Sequence, residues 1–387
     1  MFAKKNWVKN IAKSVTQPKY ALQVANRRSK SYLTYHLRDD GHSAPPETIS
    51  LFLTYRCNLR CYMCGQWGDE GAFKSFPRET LRQELSLEEI KTLIDDVSTF
   101  RPNITLFGGE PMLYRNWVKI VEHVKSHKMR CNIVTNGMQL KMYARDIVEA
   151  GLDEIILSLD GVGEVHDNAR GLPGAYDKLH AGAMAIHNIK KEFGKSAPIL
   201  NVNCTISEVN YKNLGELIDA VEDFGGDIIN FHHLLHVSEE AYQENDKIMR
   251  ARFNTLTPDW KGFVWKPNID PEILIAQLKI VKARKSPVKI LVYPNFTDDE
   301  VNQWYTEDEF RSTSYANRCM SVWMTVYIFP NGDVRPYHSM NFVPGNIRDS
   351  SFKEIWNNEK FKDYRVYLKK NKAFPVCYKG CTELYRY

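Results

Sequence analysis

Short apolar runs and longer helical patterns alternate along the central part of the chain. Apolar runs of strand length occur at 49–55, 103–107, 130–135, 154–159, 199–206 and 227–232. Between them, apolar residues recur at helical spacing at 86–99, 116–127, 141–150, 176–193 and 214–224. Ser86 followed by Glu89 predicts a capping box at the first of these helices. Six strands separated by helices predict an α/β fold, in which parallel βα units wind into a (β/α)6 sheet or partial barrel.

The alternation breaks after residue 237. The next segment contains a predicted helix at 271–283 and a short strand at 288–293. A new pattern begins at Cys319, with apolar runs at 324–329 and 334–337 around an Asn331-Gly332 turn, which predicts a β-hairpin. A last helix is predicted at 351–370, so this end reads as a small α+β module. The predicted organisation is a helical arm at 1–45, a partial barrel at 46–237, a connecting region at 238–318 and the C-terminal module at 319–387.

The composition is that of a globular protein with a sizeable core. Of the 387 residues, 43% are apolar and 26% are charged. We find neither an apolar run long enough for a membrane span nor the apolar stretch of a secretory signal, which predicts a cytoplasmic protein. Because thiols stay reduced there, the eight cysteines indicate metal binding or catalysis rather than a disulfide framework.

Positive charge is concentrated in the N-terminal arm. Residues 1–38 carry nine Lys or Arg and no Asp or Glu, whereas the whole chain has a formal net charge of +5. The remaining body is therefore slightly acidic, which argues against nucleic acid as a partner of the body. Phe2, Trp7, Val8, Ile11 and Val15 alternate with lysines, as in an amphipathic helix. Such a helix would lie peripherally on an anionic membrane or cover the open side of the barrel, and a solvated tail is the alternative.

The cysteines Cys57, Cys61 and Cys64 follow the first predicted strand with the spacing CxxxCxxC. Three thiolates can hold three irons of a [4Fe–4S] cluster and leave the fourth iron open to another ligand. The alternative is a zinc site, which usually takes four protein ligands in paired CxxC spacing. Gly65, Gln66 and Trp67 come next, and none of them supplies a fourth ligand.

This cysteine motif resembles that of the radical S-adenosylmethionine (radical SAM) enzymes, whose fold is a (β/α)6 partial TIM barrel. Gly108, Gly109, Glu110 and Pro111, at the end of the second strand, resemble the GGEP segment of that family, which meets the methionine amino group of SAM. A glycine pair permits a close backbone approach, and a carboxylate suits an ammonium group. Met63 replaces the aromatic residue that usually precedes the third cysteine, and Met is an adaptable apolar substitute.

The resemblance also implies positions for the rest of the SAM site. Thr135, Asn136, Ser158, Asp160 and Asn203 lie at the predicted ends of the third to fifth strands, where the family contacts the ribose and carboxylate of SAM. Arg170, in the loop after the fourth strand, would neutralise the SAM carboxylate. The alternative for each of these positions is an ordinary polar turn.

The C-terminal module resembles the SPASM/twitch extension of many radical SAM enzymes, which binds an auxiliary iron–sulfur cluster. Cys319, Cys377 and Cys381 match its cysteines, and His338 stands where the family hairpin commonly ends in Cys. The resemblance implies one auxiliary [4Fe–4S] cluster, with His338 as its fourth ligand. The alternative is a core hairpin with stray cysteines. Cys131 and Cys204 lie inside predicted strands and are expected to be packing residues.

The implied activity is oxidoreductase-like radical chemistry. A reduced cluster splits SAM, and the 5′-deoxyadenosyl radical takes hydrogen from a substrate, with a flavodoxin or ferredoxin as external electron donor. The auxiliary cluster would serve electron transfer or substrate binding in a net oxidation or rearrangement. The substrate stays open between a ribosomal peptide or protein and a small sugar, polyol or lipid-linked molecule that undergoes dehydrogenation or epimerisation. A non-enzymatic iron–sulfur or metal-binding protein is the remaining alternative class.

Overall fold

A computed structural model describes residues 18–387. The amphipathic helix predicted from Phe2 to Val15 lies outside these residues. The second half of the basic arm, from Pro18 to Leu37, is a single helix, α1. Within the described part of the chain, no helix combines the length and the apolar character needed to cross a membrane.

The ten strands found among residues 18–387 belong to one sheet. They are β1 (Thr48–Phe52), β2 (Asn103–Phe107), β3 (Cys131–Thr135), β4 (Glu154–Ser158), β5 (Ile199–Thr205), β6 (Ile228–His232), β7 (Lys289–Tyr293), β8 (Thr325–Ile328), β9 (Asp333–Arg335) and β10 (Gly345–Asn346). Their order is β10-β9-β8-β1-β2-β3-β4-β5-β6-β7. β1 to β8 pair in parallel, and β9 pairs antiparallel with both β8 and β10. The six predicted strands and their parallel pairing are confirmed, as is the hairpin β8–β9.

Helices cover the outer face of the sheet. After α1 they are α2 (Arg78–Leu81), α3 (Leu87–Val97), α4 (Trp117–Ser126), α5 (Leu140–Glu149), α6 (Glu164–Arg170), α7 (Ala175–Glu192), α8 (Gly215–Asp223), α9 (Glu239–Phe253), α10 (Pro271–Ala283), α11 (Asp298–Thr306), α12 (Phe352–Trp356), α13 (Glu359–Asn371) and α14 (Cys377–Gly380). The capping box predicted at Ser86 and Glu89 is present at the start of α3. Apolar residues of these helices and of the outward-facing strand positions form one large core.

The sheet extends beyond the six predicted barrel strands at both ends. β7, from the connecting region, pairs with β6, and β8, from the C-terminal module, pairs with β1. The backbone N–H groups of Glu47 and Thr48 both donate to the carbonyl of Met324, which fixes the start of this pairing. The barrel and the module therefore share one sheet. The added strands pair with β1 and β6, whose backbone N–H and C=O groups would otherwise form unpaired sheet edges.

The inner, concave face of the sheet carries many polar side chains. Along β5, the residues Leu200, Val202 and Cys204 are fully buried against the helices, whereas Asn201 and Asn203 are partly exposed on the other face. Because β1 to β6 run in parallel, their carboxyl ends meet at one edge, and the loops that leave this edge carry the candidate site.

Candidate SAM and iron–sulfur sites

The three cysteines of the CxxxCxxC motif lie in the loop that follows β1. All three are free thiols, with Cys61 buried and Cys57 and Cys64 partly exposed. The backbone N–H of Leu59 donates to Cys57 Sγ, and that of Trp67 donates to Cys64 Sγ, each over 3.5 Å. Burial raises the pKa of the Cys57 thiol to about 12, so this thiol ionises when a metal cation takes the place of its proton. Three neighbouring thiols with N–H donors aimed at their sulfurs fit an iron–sulfur cluster.

The glycine pair after β2 brings two loops into backbone contact. Gly109 N–H donates to the carbonyl of Thr54 over 2.9 Å, and Glu110 N–H donates to that of Arg56 over 2.8 Å. A Cβ atom on Gly109 would lie 2.2 Å from the Arg56 carbonyl oxygen, and Gly108 has a φ of +142°. The glycines thus allow the GGEP segment to lie directly against the cysteine loop. Pro111 then opens a single 3₁₀ turn.

The Glu110 carboxylate joins the ends of β2 and β3. It accepts hydrogen bonds from the backbone N–H of Met112 at 3.1 Å, from Thr135 Oγ1 at 2.8 Å and from the backbone N–H of Asn136 at 2.8 Å. Burial raises the pKa of Glu110 to about 7, although the three hydrogen-bond donors act in the opposite direction and lower this pKa. A neighbouring ammonium group would favour the ionised form. The Asn136 side chain donates to Asn58 Oδ1 over 2.8 Å and thereby reaches the cysteine loop.

Asp160 and Arg170 form a buried ion pair beside the cysteines. Asp160 is fully buried, its carboxylate lies 2.6 Å from Arg170 Nη2, and it accepts a hydrogen bond from the backbone N–H of Thr205. Arg170 Nη1 in turn donates to Cys61 Sγ over 3.6 Å. The backbone N–H of Asp160 donates to Nδ1 of His166, and burial lowers the pKa of this imidazole to about 3, which keeps it a neutral acceptor. The pair places one positive charge next to a cluster ligand.

Ser158 and Asn203 lie side by side on the concave face, as Cα partners of β4 and β5. The next strand adds Asn230, which is the partner of Asn203 on β6. The Asn230 amide donates to Asn201 Oδ1 at 3.0 Å and more weakly to Asn203 Oδ1 at 3.4 Å. These side chains form a polar layer immediately below the loops that hold the cysteines.

The histidine group after β6 is divided between two environments. His232 ends β6 on the concave face and contacts the ring of Tyr293. His233 and His236 are buried against Tyr305, and His233 Nδ1 lies 3.1 Å from its hydroxyl. Burial lowers the pKa of each of these two imidazoles to about 3, so both are neutral packing groups.

The three cysteines of the C-terminal module are buried together. Cys377 and Cys381 flank α14, and Cys319 N–H is fixed by the carbonyl of Lys372. Burial raises the pKa of all three thiols, and the proximity of Cys319 and Cys377 raises that of Cys381 further. The Tyr337 side chain lies close to Cys381, and burial together with this thiol raises the pKa of Tyr337. This thiol group fits a second iron–sulfur cluster.

His338 lies on the barrel side of its hairpin. Its ring centroid is 5.8 Å from that of Phe107, the last residue of β2, and 6.4 Å from that of Phe263, which packs over Gly65 in the cysteine loop. Its Nδ1 shares a hydrogen bond of 2.7 Å with the Ser339 hydroxyl. His338 thus contacts residues next to the CxxxCxxC loop, and its ligation of the auxiliary cluster stays a prediction.

Some residues that position the site were missed in the sequence. Asn58, His166 and Asn230 hold predicted site residues through hydrogen bonds. His166 and Arg170 are four residues apart on α6, and this spacing on one helix face was an available signal. For Asn230 the sequence showed only that it lies in a predicted strand, and this does not reveal which side chains it contacts on the neighbouring strand. Cys131 and Cys204 are fully buried in β3 and β5, as expected.

The fold and both cysteine groups define a radical SAM enzyme with an auxiliary-cluster domain. The model of the radical SAM superfamily matches residues 51–190, and that of the SPASM iron–sulfur cluster-binding domain matches residues 319–382. The chain belongs to this superfamily, and its cofactors are SAM and [4Fe–4S] clusters.

Similar proteins cover nearly the whole chain. Fe-coproporphyrin III synthase of Methanosarcina barkeri is 31% identical over 361 residues, which are 88% of this chain and 80% of that protein. AdoMet-dependent heme synthase of the same organism is 26% identical and covers 83% of this chain and 85% of its own. The crystal structure of Streptococcus suis SuiB bound to the precursor peptide SuiA superimposes with a TM-score of 0.61 at 13% identity, over 95% of this chain and 76% of that one. This last likeness shows the shared fold.

Proposed function

We propose that this enzyme generates a 5′-deoxyadenosyl radical from SAM and uses it to remove hydrogen from an iron porphyrin or a related tetrapyrrole, in a net oxidation or rearrangement. The observation that carries the proposal is that the CxxxCxxC loop, the GGEP segment and the polar side chains of Ser158 and Asn203 lie at the carboxyl ends of the parallel strands, and that His338 of the C-terminal module contacts Phe107 at the same edge. A substrate in this space would lie between the two clusters.

Different residues of the chain bind the cluster and the different groups of SAM. Cys57, Cys61 and Cys64 would hold a [4Fe–4S] cluster, which when reduced would supply the electron for cleavage of SAM. We assign Glu110 to the ammonium group of SAM and Arg170 to its carboxylate. Ser158 and Asn203 line the space for the ribose.

We do not assign Asp160 to a direct contact with SAM, which was the role expected from the sequence. Both of its oxygens already face protein groups, Arg170 on one side and the Thr205 N–H on the other. We therefore assign Asp160 as a positioning residue that holds Arg170. A fixed guanidinium binds a carboxylate with less loss of conformational entropy than a mobile one.

The substrate class rests on the relatives and on the surroundings of His338. Two relatives that align over most of their length are named for iron porphyrins as products. His338 is partly exposed and surrounded by the rings of Phe107, Phe263, Tyr327 and Tyr337. Aromatic faces suit a flat macrocycle, and a neutral imidazole suits its iron. Burial lowers the pKa of His338 to about 3, which favours the neutral form.

The test is anaerobic turnover of the reconstituted enzyme. With SAM and a one-electron donor, either dithionite or a flavodoxin or ferredoxin, 5′-deoxyadenosine should form well above the level of a Cys57→Ala variant. Addition of an iron tetrapyrrole, from a set that includes Fe-coproporphyrin III, should raise this rate at least several-fold and convert the tetrapyrrole. An absence of 5′-deoxyadenosine above the variant would refute the radical activity. Stimulation by a peptide or a sugar but not by porphyrins would refute the substrate class alone.

A further inference from the structure

Two imidazoles and one carboxylate converge on the outer face of the barrel, away from both cysteine groups. His123 lies in the last turn of α4, and His127 follows four residues later at the end of that helix. Their Nε2 atoms lie 2.7 and 2.8 Å from the same atom, Oδ1 of Asp95 on α3. The two rings are 5.0 Å apart between centroids.

We propose that Asp95, His123 and His127 bind one divalent transition-metal ion, of which Zn²⁺ is the best fit. The three ligand atoms all lie within 4.8 Å of one another, and among residues 18–387 this is the one group of His, Cys, Asp or Glu ligands that meets this condition. Two imidazole nitrogens and one carboxylate oxygen form a donor set that Zn²⁺ accepts readily, with water in the fourth position.

The geometry is close to that of a zinc site. Ligand atoms at about 2.0–2.1 Å from a tetrahedral zinc ion are roughly 3.3 Å from each other. The observed separations of 2.7 and 2.8 Å from Asp95 Oδ1 need to open by roughly half an ångström, which side-chain rotation on the helix surface provides. His–x3–His spacing on a helix directs both imidazoles to the same face, so one ion can reach them both.

The site is accessible and connects two helices. The side chains of His123 and His127 are 23% and 31% exposed, so an ion can enter from solvent and keep a water ligand. A bound ion would join α3 to α4. The adjacent residue Asp96 forms an ion pair with Lys353 of α12 at 3.3 Å, so the joined helices also contact the C-terminal module. An ion that binds only the folded chain raises its apparent stability.

A His–Asp pair elsewhere on the barrel provides a matched control. His180 Nε2 on α7 lies 2.7 Å from Asp223 Oδ2 on α8, with similar exposure of the imidazole. This pair has one imidazole rather than two, so it offers no chelate. A hydrogen-bonded surface pair and a metal site can therefore be distinguished by comparing the two positions.

The experiment is equilibrium dialysis of the untagged, cluster-loaded enzyme against micromolar ZnCl₂, with zinc and iron measured per chain. The wild-type chain and His180→Ala should each bind one zinc ion with unchanged iron. His123→Ala and His127→Ala should lose it, as should the milder His127→Gln. Zinc should also raise the melting temperature of the wild type and of His180→Ala but not that of the other variants. Either the absence of bound zinc in the wild type, or equal zinc in every variant, would overturn the proposal and leave a simple ion pair.

Discussion

Arg170 lies next to Cys61, which we propose as a ligand of the SAM-binding cluster. Its guanidinium donates to Cys61 Sγ and is held by the buried carboxylate of Asp160. Hydrogen bonds and positive charge near cluster sulfurs stabilise the reduced, more negative state and raise the reduction potential. The sequence predicted Arg170 as a site residue, but the partner that fixes it becomes visible only when β4 and α6 are packed.

We expect Arg170→Gln to lower the midpoint potential of the SAM-binding cluster. A hydrogen bond from a charged donor is worth about 1.5 kcal/mol, which corresponds to roughly 65 mV for a one-electron couple. The measurement is a redox titration of the SAM-binding cluster by electron paramagnetic resonance. Its signal is identified as the one that changes when SAM is added. Arg130→Gln is the control, because Arg130 also forms a barrel ion pair, with Glu154 at 2.6 Å, away from the cysteines. Equal potentials in wild type and Arg170→Gln would contradict the expected role.

His338 provides the second prediction at the residue scale. Its ring contacts Phe107 at the carboxyl end of β2, whereas the neighbouring Tyr337 lies close to Cys381. We expect His338→Ala to raise the KM for substrate about tenfold, the loss of one directed interaction, and to leave the auxiliary resonance signal intact. The signal is measured in a Cys57/Cys61/Cys64→Ala background. An altered signal there would instead establish the ligation predicted from the hairpin position.

At the scale of elements, local patterns were sufficient for the strands but not for their distant partners. β1 to β6 each carry apolar residues on the face that the helices cover, and in β5 these residues alternate with asparagines on the concave face. The pairing of β8 with β1 joins residues more than two hundred positions apart, and no local pattern encodes it. The carboxyl edge of the barrel was also predictable as the place of the site, because the loops that follow parallel strands all leave the sheet at this edge. The hydrogen bonds within it, such as those of Glu110, depend on loop packing that periodicity does not describe.

The start of α11 illustrates how one carboxylate can fix an irregular segment. Glu300 closes a capping box with Thr297 and also accepts hydrogen bonds from Ser312, Thr313 and Ser314 in the loop beyond the helix. Burial alone would raise its pKa, but these donors lower the pKa of Glu300 to about 2. Glu300 thereby connects the loop at residues 312–314 to α11 through hydrogen bonds.

We expect Glu300→Gln to lower the free energy of unfolding by about 3 kcal/mol at pH 7. Because the folded pKa lies below the usual value, this stabilisation is complete above about pH 4.5 and is lost as the pH falls from there toward 2. Urea unfolding should therefore show a difference between the variant and wild type that is constant from pH 8 to 5.5 and shrinks below pH 4.5. Glu354→Gln, in the exposed capping box of α12, should have a smaller effect. Equal losses in the two variants would argue against the buried network.

At the scale of the whole molecule, α1 and the last residue, Tyr387, meet at the start of β1. Arg28 on α1 makes a two-pronged ion pair with the buried Glu47 and lies 5.1 Å from the ring centroid of Tyr387. Arg365 of α13 is fully buried and donates to the carbonyls of Val322 and Gly41. The C-terminal module is thus held both to the barrel sheet and to the N-terminal segment.

This arrangement predicts that barrel and module unfold as one unit. A chain ending at residue 318 loses β8, which leaves β1 as an open edge and removes the carbonyl of Met324 from the Glu47 and Thr48 N–H groups. We expect this shortened chain to lack a cooperative thermal transition, whereas the full chain shows a single one. The full chain with Cys319, Cys377 and Cys381 replaced by Ser should keep that transition at a lower temperature, because it loses the auxiliary cluster but retains β8. If the shortened chain melted cooperatively within a few degrees of the cysteine variant, the barrel would be an independent folding unit and the shared sheet would contribute little to its stability.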